Sequence, residues 1–207
     1  PQREVAMPPM LVATKATPAN EEILGRISLT TRIFKGNHMR YAAIRAQVLR
    51  LLDRQGSLDP FAQSGWAASL TSGNIKLRLA SAHHYQVSIV KSWQKADLIK
   101  SLSFFGFRLP TQDQYEYLQS GGRQSLFAFG NTLPPQLPRY LPNPFGLTIP
   151  VERAGSELIA EDIQKSTVLP AQPSAKAALA LSPFYQAEGA DDLTVASYRR
   201  VATVTVN

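Results

Sequence analysis

The stretch GFRLPTQDQYEYLQSGG, residues 106–122, carries the start and stop signals of a short helix. Thr111 can cap the first turn while Gln114 reaches back to the cap amide, which satisfies two free donors at a helix start. Pro110 lies just outside. Gly121 and Gly122 supply the left-handed backbone that ends a helix. The pattern therefore predicts a helix of about two turns between Thr111 and Gly121.

Length and composition limit the class of protein. The chain has 207 residues, of which 44% are hydrophobic, so we expect one domain with one sizeable core. It holds no apolar run near the roughly 18 residues that span a bilayer. Pro1 is not a natural start, so we expect a processed or trimmed N-terminus, and export to the periplasm or cell envelope is our best expectation for localisation.

Positive charge is in excess but scattered. The formal charge is +7 and the pI is near 9.8, which allows binding to nucleic acid, anionic envelope polymers or acidic proteins. No run of five Lys or Arg occurs, so we expect no specific nucleic-acid binding. A predicted helix carries four arginines, Arg40, Arg45, Arg50 and Arg54. We expect them to form its solvated side. The alternative is that they form a surface that binds phosphate or an acidic partner.

The helices and strands are predicted from their periodicity. Asn37 caps a helix that ends at Gly56, and a second helix over residues 92–106 starts at Ser92. The second helix is expected to bury Leu98, Ile99, Leu102 and Phe105. Strand-like alternation is found over residues 23–34, in two runs within 74–90, and over 197–206.

Long irregular segments connect these elements. Residues 1–22 contain four prolines and are expected to form an extended arm. A Pro-rich loop covers residues 132–144, and a segment rich in Ala and Pro covers 166–193. Few helices, short strands and long loops indicate the α+β class.

The order of several motifs resembles the formylglycine-generating enzyme family, also called the sulfatase-modifying-factor family. Members show a Ser-Trp-x-x-Ala helix, then Gly-Phe-Arg-Leu-Pro-Thr with a downstream Glu-Tyr, a Gly-Asn, an Asn-x-Phe-Gly-Leu and a late Glu. The matching positions are Ser92, Trp93, Ala96, Gly106, Phe107, Arg108, Leu109, Pro110, Thr111, Glu116, Tyr117, Gly130, Asn131, Asn143, Phe145, Gly146, Leu147 and Glu157. The resemblance is strongest over residues 92–147.

The resemblance implies a fold. It predicts a single domain over residues 23–207 with the family's variant of the C-type-lectin-like fold, a twisted antiparallel sheet with two main helices and long irregular loops. Arg108 and Glu116 are then structural and tie a loop to the helix through charge-assisted hydrogen bonds. Gln112 and Gln114 replace two acids of the family pattern, and Tyr115 replaces a tryptophan.

The chemistry of the family is not expected here. Its copper-dependent oxidases use a pair of late cysteines, and this chain has none, so no thiolate ligand or nucleophile exists. The family's calcium segment is degenerate, with only Glu157 as a counterpart. The three histidines, His38, His83 and His84, are not expected to assemble the facial set of ligands that binds iron. The adjacent acids Asp191 and Asp192 are expected to lie in a solvated turn. We therefore expect no cofactor, no metal and no catalysis.

Three functions stay open. The first is a non-catalytic structural or recognition subunit that binds other protein subunits of an assembly, with Tyr140, Phe184 and Tyr185 as candidate contacts on loops and membrane association only through partners. The alternative is a module that binds a glycan or another anionic polymer. The third is a residual enzyme with an unfamiliar metal site.

Overall fold

The computed structural model describes residues 4–56, 66–136, 140–150, 156–165, 174–186 and 192–205. The fold is mixed α+β, with several antiparallel sheets and few helices. In chain order the elements are β1 (Met10–Val12), β2 (Thr17–Pro18), β3 (Glu21–Ser28), β4 (Phe34–Gly36), α1 (His38–Ala42), α2 (Arg45–Gly56), β5 (Ser69–Ser72), β6 (Ile75–Ser81), β7 (His84–Val90), α3 (Lys95–Phe104), α4 (Gln112–Ser120), β8 (Tyr140–Pro142), β9 (Thr148–Pro150), β10 (Glu157–Leu158), α5 (Ala175–Ala178), β11 (Ser197–Tyr198) and β12 (Val201–Thr203).

The chain forms two compact units. The terminal unit consists of Pro1–Asn20 together with Trp93–Asn207, and the central unit is Glu21–Ser92. This division differs from the single domain over 23–207 with a separate arm. The physical reason is that residues of the expected arm pair with the end of the chain: β1 lies antiparallel to β12, and β2 lies antiparallel to β11.

The central unit is a five-stranded antiparallel sheet with helices on one face. The strand order is β4-β3-β7-β6-β5, and the two runs predicted within 74–90 are β6 and β7. One face of the sheet carries buried apolar side chains that pack against α1 and α2. Those side chains come from alternate positions, such as Ile27, Leu77, Tyr85 and Val87, as a half-buried strand requires.

The first predicted helix is divided in two. Asn37 caps α1 as expected, because its side chain accepts a hydrogen bond from the amide of Arg40 at 3.1 Å. The Tyr41 carbonyl then accepts from the amide of Ile44 at 3.0 Å, a tight turn that separates α1 from α2. This break lets Tyr41 stack on Phe34 with 3.9 Å between ring centres.

The glycine pair Gly25 and Gly36 brings β3 and β4 unusually close. The two residues are register partners, and a Cβ on Gly25 would lie 2.2 Å from the carbonyl oxygen of Lys35. Real Cβ atoms do not approach an oxygen that closely, so this crossing needs glycine.

The second predicted helix is shorter than expected. It begins at Lys95 rather than Ser92, because the Asp97 side chain accepts from the Gln94 amide at 3.0 Å. Leu98 and Leu102 are buried as predicted. Phe105 is wrong as a core residue, since it is 69% exposed after the helix has ended at Phe104, and Ile99 is 38% exposed.

The terminal unit contains short sheets around α3 and α4. Besides the β1-β12 pair it has a three-stranded sheet in the order β10-β11-β2, in which β10 and β11 are parallel, and the antiparallel pair β8-β9. The predicted closing strand is therefore two strands, β11 and β12. No helix among the described segments is both long and apolar enough to cross a bilayer.

Candidate functional site

Helix α4 has the ends that its sequence predicts. Thr111 Oγ1 accepts from the Gln114 amide at 3.3 Å, and Gln114 Oε1 accepts from the Thr111 amide at 3.1 Å. Gly121 adopts a left-handed backbone with φ of 64° and ends the helix. A Cβ at Gly121 would lie 2.5 Å from Cδ of Pro144, so both conformation and space require glycine there.

Arg108 joins the start of α4 to the end of the chain. Its Nη1 donates to Gln114 Oε1 at 2.7 Å, and its Nη2 donates to Thr203 Oγ1 at 3.2 Å. The backbone of Arg108 exchanges two hydrogen bonds of 2.9 Å with Val201. Gln114 thus caps its helix and also accepts from the guanidinium.

Glu116 is paired with a buried lysine. Lys165 Nζ lies 2.7 Å from Glu116 Oε1, and the lysine side chain is fully enclosed. The ammonium also donates to the carbonyl of Pro183 at 3.3 Å and lies 5.7 Å from the ring centre of Tyr115. Gln112 Nε2 donates to the same carboxylate at 2.9 Å. Glu116 therefore holds a distant segment against α4.

Glu157 and Arg199 form a second buried ion pair. Arg199 Nε donates to Glu157 Oε1 at 3.1 Å, and Gln119 Nε2 donates to Glu157 Oε2 at 2.9 Å. The remaining donors of Arg199 reach the carbonyls of Ala13, Thr14 and Thr148 at 2.9 to 3.1 Å. Both carboxylate oxygens of Glu157 are thus engaged by protein donors.

Tyr115 lies among these charges. Burial, reinforced by the negative charge of Glu157, raises the pKa of its hydroxyl far above the ordinary value. A tyrosine in such surroundings stays neutral at any physiological pH, so it is a packing residue rather than a base.

The Asn143–Leu147 turn is fixed to α4 by an asparagine. Asn143 Nδ2 donates to the carbonyl of Leu118, and its Oδ1 accepts from the amides of Phe145 and Leu147 at 3.1 Å each. Gly146 has φ of 72° within the turn. Phe145 packs on Tyr117 with 5.0 Å between ring centres.

The remaining motif residues also make backbone contacts within the terminal unit. Trp93 Nε1 donates to the carbonyl of Ala19 at 2.7 Å, and the carbonyl of Pro110 accepts from Ala160 at 2.9 Å. Gly130 pairs with Phe127 in an isolated bridge, and Asn131 Oδ1 accepts from the Leu126 amide at 2.8 Å. The structure thus brings most of the predicted scaffold residues around α4 and α3.

The candidate partner contacts are only partly visible. Phe184 is 48% exposed and Tyr185 is half-buried. The side chain of Tyr140 lies outside the described residues, as do residues 137–139 of the Pro-rich loop and 166–173 and 187–191 of the Ala/Pro segment. Sequence reasoning missed a larger surface: Phe104 is 82% exposed and packs edge-on against the exposed Phe105 at 5.1 Å.

The described part of the chain contains no group of three or more His, Asp or Glu side chains placed to hold a metal ion. His38 packs edge-on against Phe34, and His84 Nδ1 lies 3.3 Å from Ser81 Oγ. Asp191 lies outside the described residues, while Asp192 accepts from Thr194 in a turn, as expected of a solvated loop.

Most of the net charge falls in the central unit. Residues 21–92 contain ten Lys or Arg and four Asp or Glu, a formal charge of +6, whereas the other residues contain twelve and eleven. All three histidines also lie in this unit. One compact unit therefore carries almost all of the net charge. The absence of charge runs in the sequence concealed this concentration.

The second face of the central sheet carries four of these cations, Arg26, Lys35, Lys76 and Arg78, beside one buried acid. Glu21 is enclosed on that face by Lys76 at 2.9 Å, by Arg78 and by Ser88 Oγ at 3.1 Å. Burial alone raises the pKa of the Glu21 carboxyl, but hydrogen bonds and positive charge from Arg78 and Lys76 outweigh it and hold the pKa below the ordinary value.

A cleft opens at the other end of the same face. Its volume is about 570 Å³, and it is lined by strands β3, β4 and β7 and by the β3–β4 loop. We call it the β3–β4 cleft, and its polar and apolar lining side chains are Arg26, Ser28, Thr31, Ile33, Lys35 and His84.

Comparison of the chain with protein-family models, with curated proteins and with solved structures gave no match in any of the three.

Proposed function

We propose that this chain is a non-catalytic recognition subunit that binds other proteins of a larger assembly, on a scaffold similar to the C-type-lectin-like fold of the formylglycine-generating enzyme family. One observation carries the proposal. The charged residues that motif order singles out are committed to holding the terminal unit together, Glu116 through Lys165 and Glu157 through Arg199. Charged groups that are engaged in such pairs serve a structural role. The function is then expected to depend on exposed residues of the surface.

The surface that best fits a protein partner is the end of α3. Phe104 and Phe105 are both largely exposed and lie against each other, and Ile99 adds exposed apolar area on the same helix. Aromatic side chains are enriched in the buried centres of protein interfaces, because they bury large areas at low entropic cost. Phe104 and Phe105 are therefore the residues we expect to contact the partner.

The test is recovery of partners by a tagged chain from its own cells, with wild type compared with the double variant F104S/F105S. We expect a stoichiometric partner with the wild type and at least a tenfold loss with the variant. The matched control is M39S, which removes an 87% exposed apolar side chain from the central unit. Equal loss with M39S would show general adhesion and contradict the proposal.

A second candidate function is favoured by a different observation, the formal charge of +6 on residues 21–92. A surface of this charge attracts a glycan or other anionic polymer, with an affinity that falls steeply as salt rises. Binding of polyphosphate and dextran sulfate between 50 and 200 mM salt tests this function. Affinity that does not change with salt would contradict it.

A further inference from the structure

We propose that the β3–β4 cleft is a binding site for a tetrahedral oxyanion, the phosphate or sulfate ester group of an anionic polymer. The inference rests on the second candidate function and deepens it by naming the site and the group that is bound. It comes from the pairing of charges on the central sheet and from the donors that converge on the cleft.

Two cations face each other across neighbouring strands. Arg26 on β3 is the register partner of Lys35 on β4, and both side chains are exposed on the face opposite the apolar core. Cα atoms of such partners are about 4.5 to 5.5 Å apart, and like charges directly opposite are destabilising. The arrangement is thus unfavourable in the free protein and becomes favourable when an anion lies between them.

The acids of this unit that the structure describes are engaged elsewhere. Glu21 binds Lys76 and Arg78, Glu22 binds Arg40 and Lys91, and Asp53 pairs with Arg32. Among the described residues, neither Arg26 nor Lys35 has an ion pair or a side-chain hydrogen bond. Within the described segments the positive charge at the cleft is therefore uncompensated, whereas the carboxylate of Glu21 compensates the cations around it.

A lysine on an edge strand also has a simpler explanation. Charged side chains on edges prevent pairing with other chains, and β4 is an edge strand. That explanation does not extend to Arg26, because β3 is an inner strand paired with β4 on one side and with β7 on the other. The Arg26–Lys35 pair is explained better by a ligand.

The hydroxyls of the cleft are arranged as donors. Ser28 Oγ accepts from the amide of Thr31 at 3.2 Å, and Thr31 Oγ1 accepts from the amide of Ile33 at 3.4 Å. Because each hydroxyl oxygen accepts from a backbone amide, its hydrogen remains available to donate to a ligand. His84 pairs with Ser28 in the sheet register and also lines the cleft.

These donors come from three strands and the β3–β4 loop. A tetrahedral oxyanion has acceptor oxygens in several directions and can use all of them, whereas a carboxylate has two oxygens in one plane. The described residues of this face include no Phe, Tyr or Trp side chain for stacking a base, so we expect the bound group to be recognised by its charge and shape.

The test is titration of the ¹⁵N-labelled full chain with inorganic phosphate, with inorganic sulfate, and then with polyphosphate and dextran sulfate. We expect millimolar binding of the inorganic ions, with shifts at the amides of Arg26, Thr31, Lys35 and His84, and tighter binding of at least one polymer. The ion and the polymer that bind more tightly identify the bound ester as a phosphate or a sulfate. The charge-matched variants are R26Q/K35Q at the cleft and R45Q/R50Q on α2, whose arginines are also exposed.

The double variant R26Q/K35Q is expected to weaken polymer binding at least tenfold and to lower the slope of log affinity against log salt by about two. R45Q/R50Q should change affinity less than threefold. K35E should abolish binding while raising the melting temperature by about 1 to 3 °C, because it replaces a repulsive cross-strand pair with an attractive one. That rise also shows that the variant folds.

Each contrary result has a distinct meaning. Equal weakening by R45Q/R50Q, or unmoved amide signals around the cleft, overturns the site and leaves polymer binding by overall charge. Failure of the wild type to bind either polymer at 50 mM salt overturns the site and the second candidate function together. Shifts at the cleft with the inorganic ions only, and none with the polymers, overturn the assignment to a polymer.

Discussion

Glu157 and Arg199, 42 residues apart in the sequence, form an ion pair that is almost completely enclosed, with 3.1 Å between Oε1 and Nε. The same guanidinium binds the carbonyls of Ala13, Thr14 and Thr148, so one side chain joins the beginning, the middle and the end of the terminal unit. Removal of the arginine leaves a buried carboxylate without its cation and three partly buried carbonyls without this donor.

We expect R199M to lower the free energy of unfolding by about 3 to 5 kcal/mol, since the cost includes the uncompensated buried charge. The measurement is urea unfolding followed by Trp93 fluorescence in a W66F background. R200A is the control, because Arg200 is exposed and only stacks on Phe107 at 5.1 Å. A loss below 1 kcal/mol for R199M would contradict the role we assign to this pair.

Gly121 is required by space as well as by conformation. G146A tests conformation alone, because Gly146 is also left-handed but has nothing within 4 Å of a Cβ. We expect about 1 to 2 kcal/mol of destabilisation for G146A and about 1 to 3 kcal/mol more for G121A, which meets the ring of Pro144. Equal losses in urea unfolding would show that the contact between α4 and the Asn143–Leu147 turn is loose.

Glu21 should make the central unit sensitive to acid. Its pKa is lowered in the folded state, so its contribution to stability is complete above the unfolded pKa of about 4.5 and is lost as pH falls through the folded value. We expect E21Q to be less stable near pH 7 by about 1.5 to 3 kcal/mol and to show a flatter stability curve below pH 4.5. Melting curves from pH 7 to pH 3 measure this, and parallel curves for both proteins would refute it.

Tyr115 should limit stability at the alkaline end. Its pKa is raised in the folded state, so the unfolded chain loses this proton near pH 10 while the folded chain keeps it, and stability falls as pH rises above that value. Y115F is expected to reduce that fall. If chemical unfolding between pH 9 and pH 11 gives the same slope for wild type and Y115F, Tyr115 is not the group responsible.

Local features were predictable from sequence, and long-range partners were not. The box of Thr111 with Gln114, the glycine stop at Gly121 and the cap at Asn37 depend on residues three or fewer positions from the helix ends. Lys165 and Arg199, which complete the buried pairs, lie 49 and 42 residues from Glu116 and Glu157, and no local pattern connects them.

Failures of prediction have physical causes of the same kind. Phe105 continues the apolar spacing of α3 and is therefore predicted to lie in the core. The cap formed by Asp97 starts the helix later than predicted, and the helix ends at Phe104. The repulsive pair of Arg26 and Lys35 depends on strand register, which adjacent sequence does not reveal. Residues 1–22 look like a free arm because the partners of β1 and β2 lie at the other end of the chain.

The central claim is that the chain works by holding partners with its surface. The most direct measurement is native mass spectrometry of the complex purified through the tagged full chain, because deleting residues 1–22 would remove β1 and β2 and disturb the fold. We predict a defined assembly heavier than the 22.7 kDa chain that is lost with F104S/F105S and kept with M39S. A wild-type chain that elutes alone under native conditions would contradict the account.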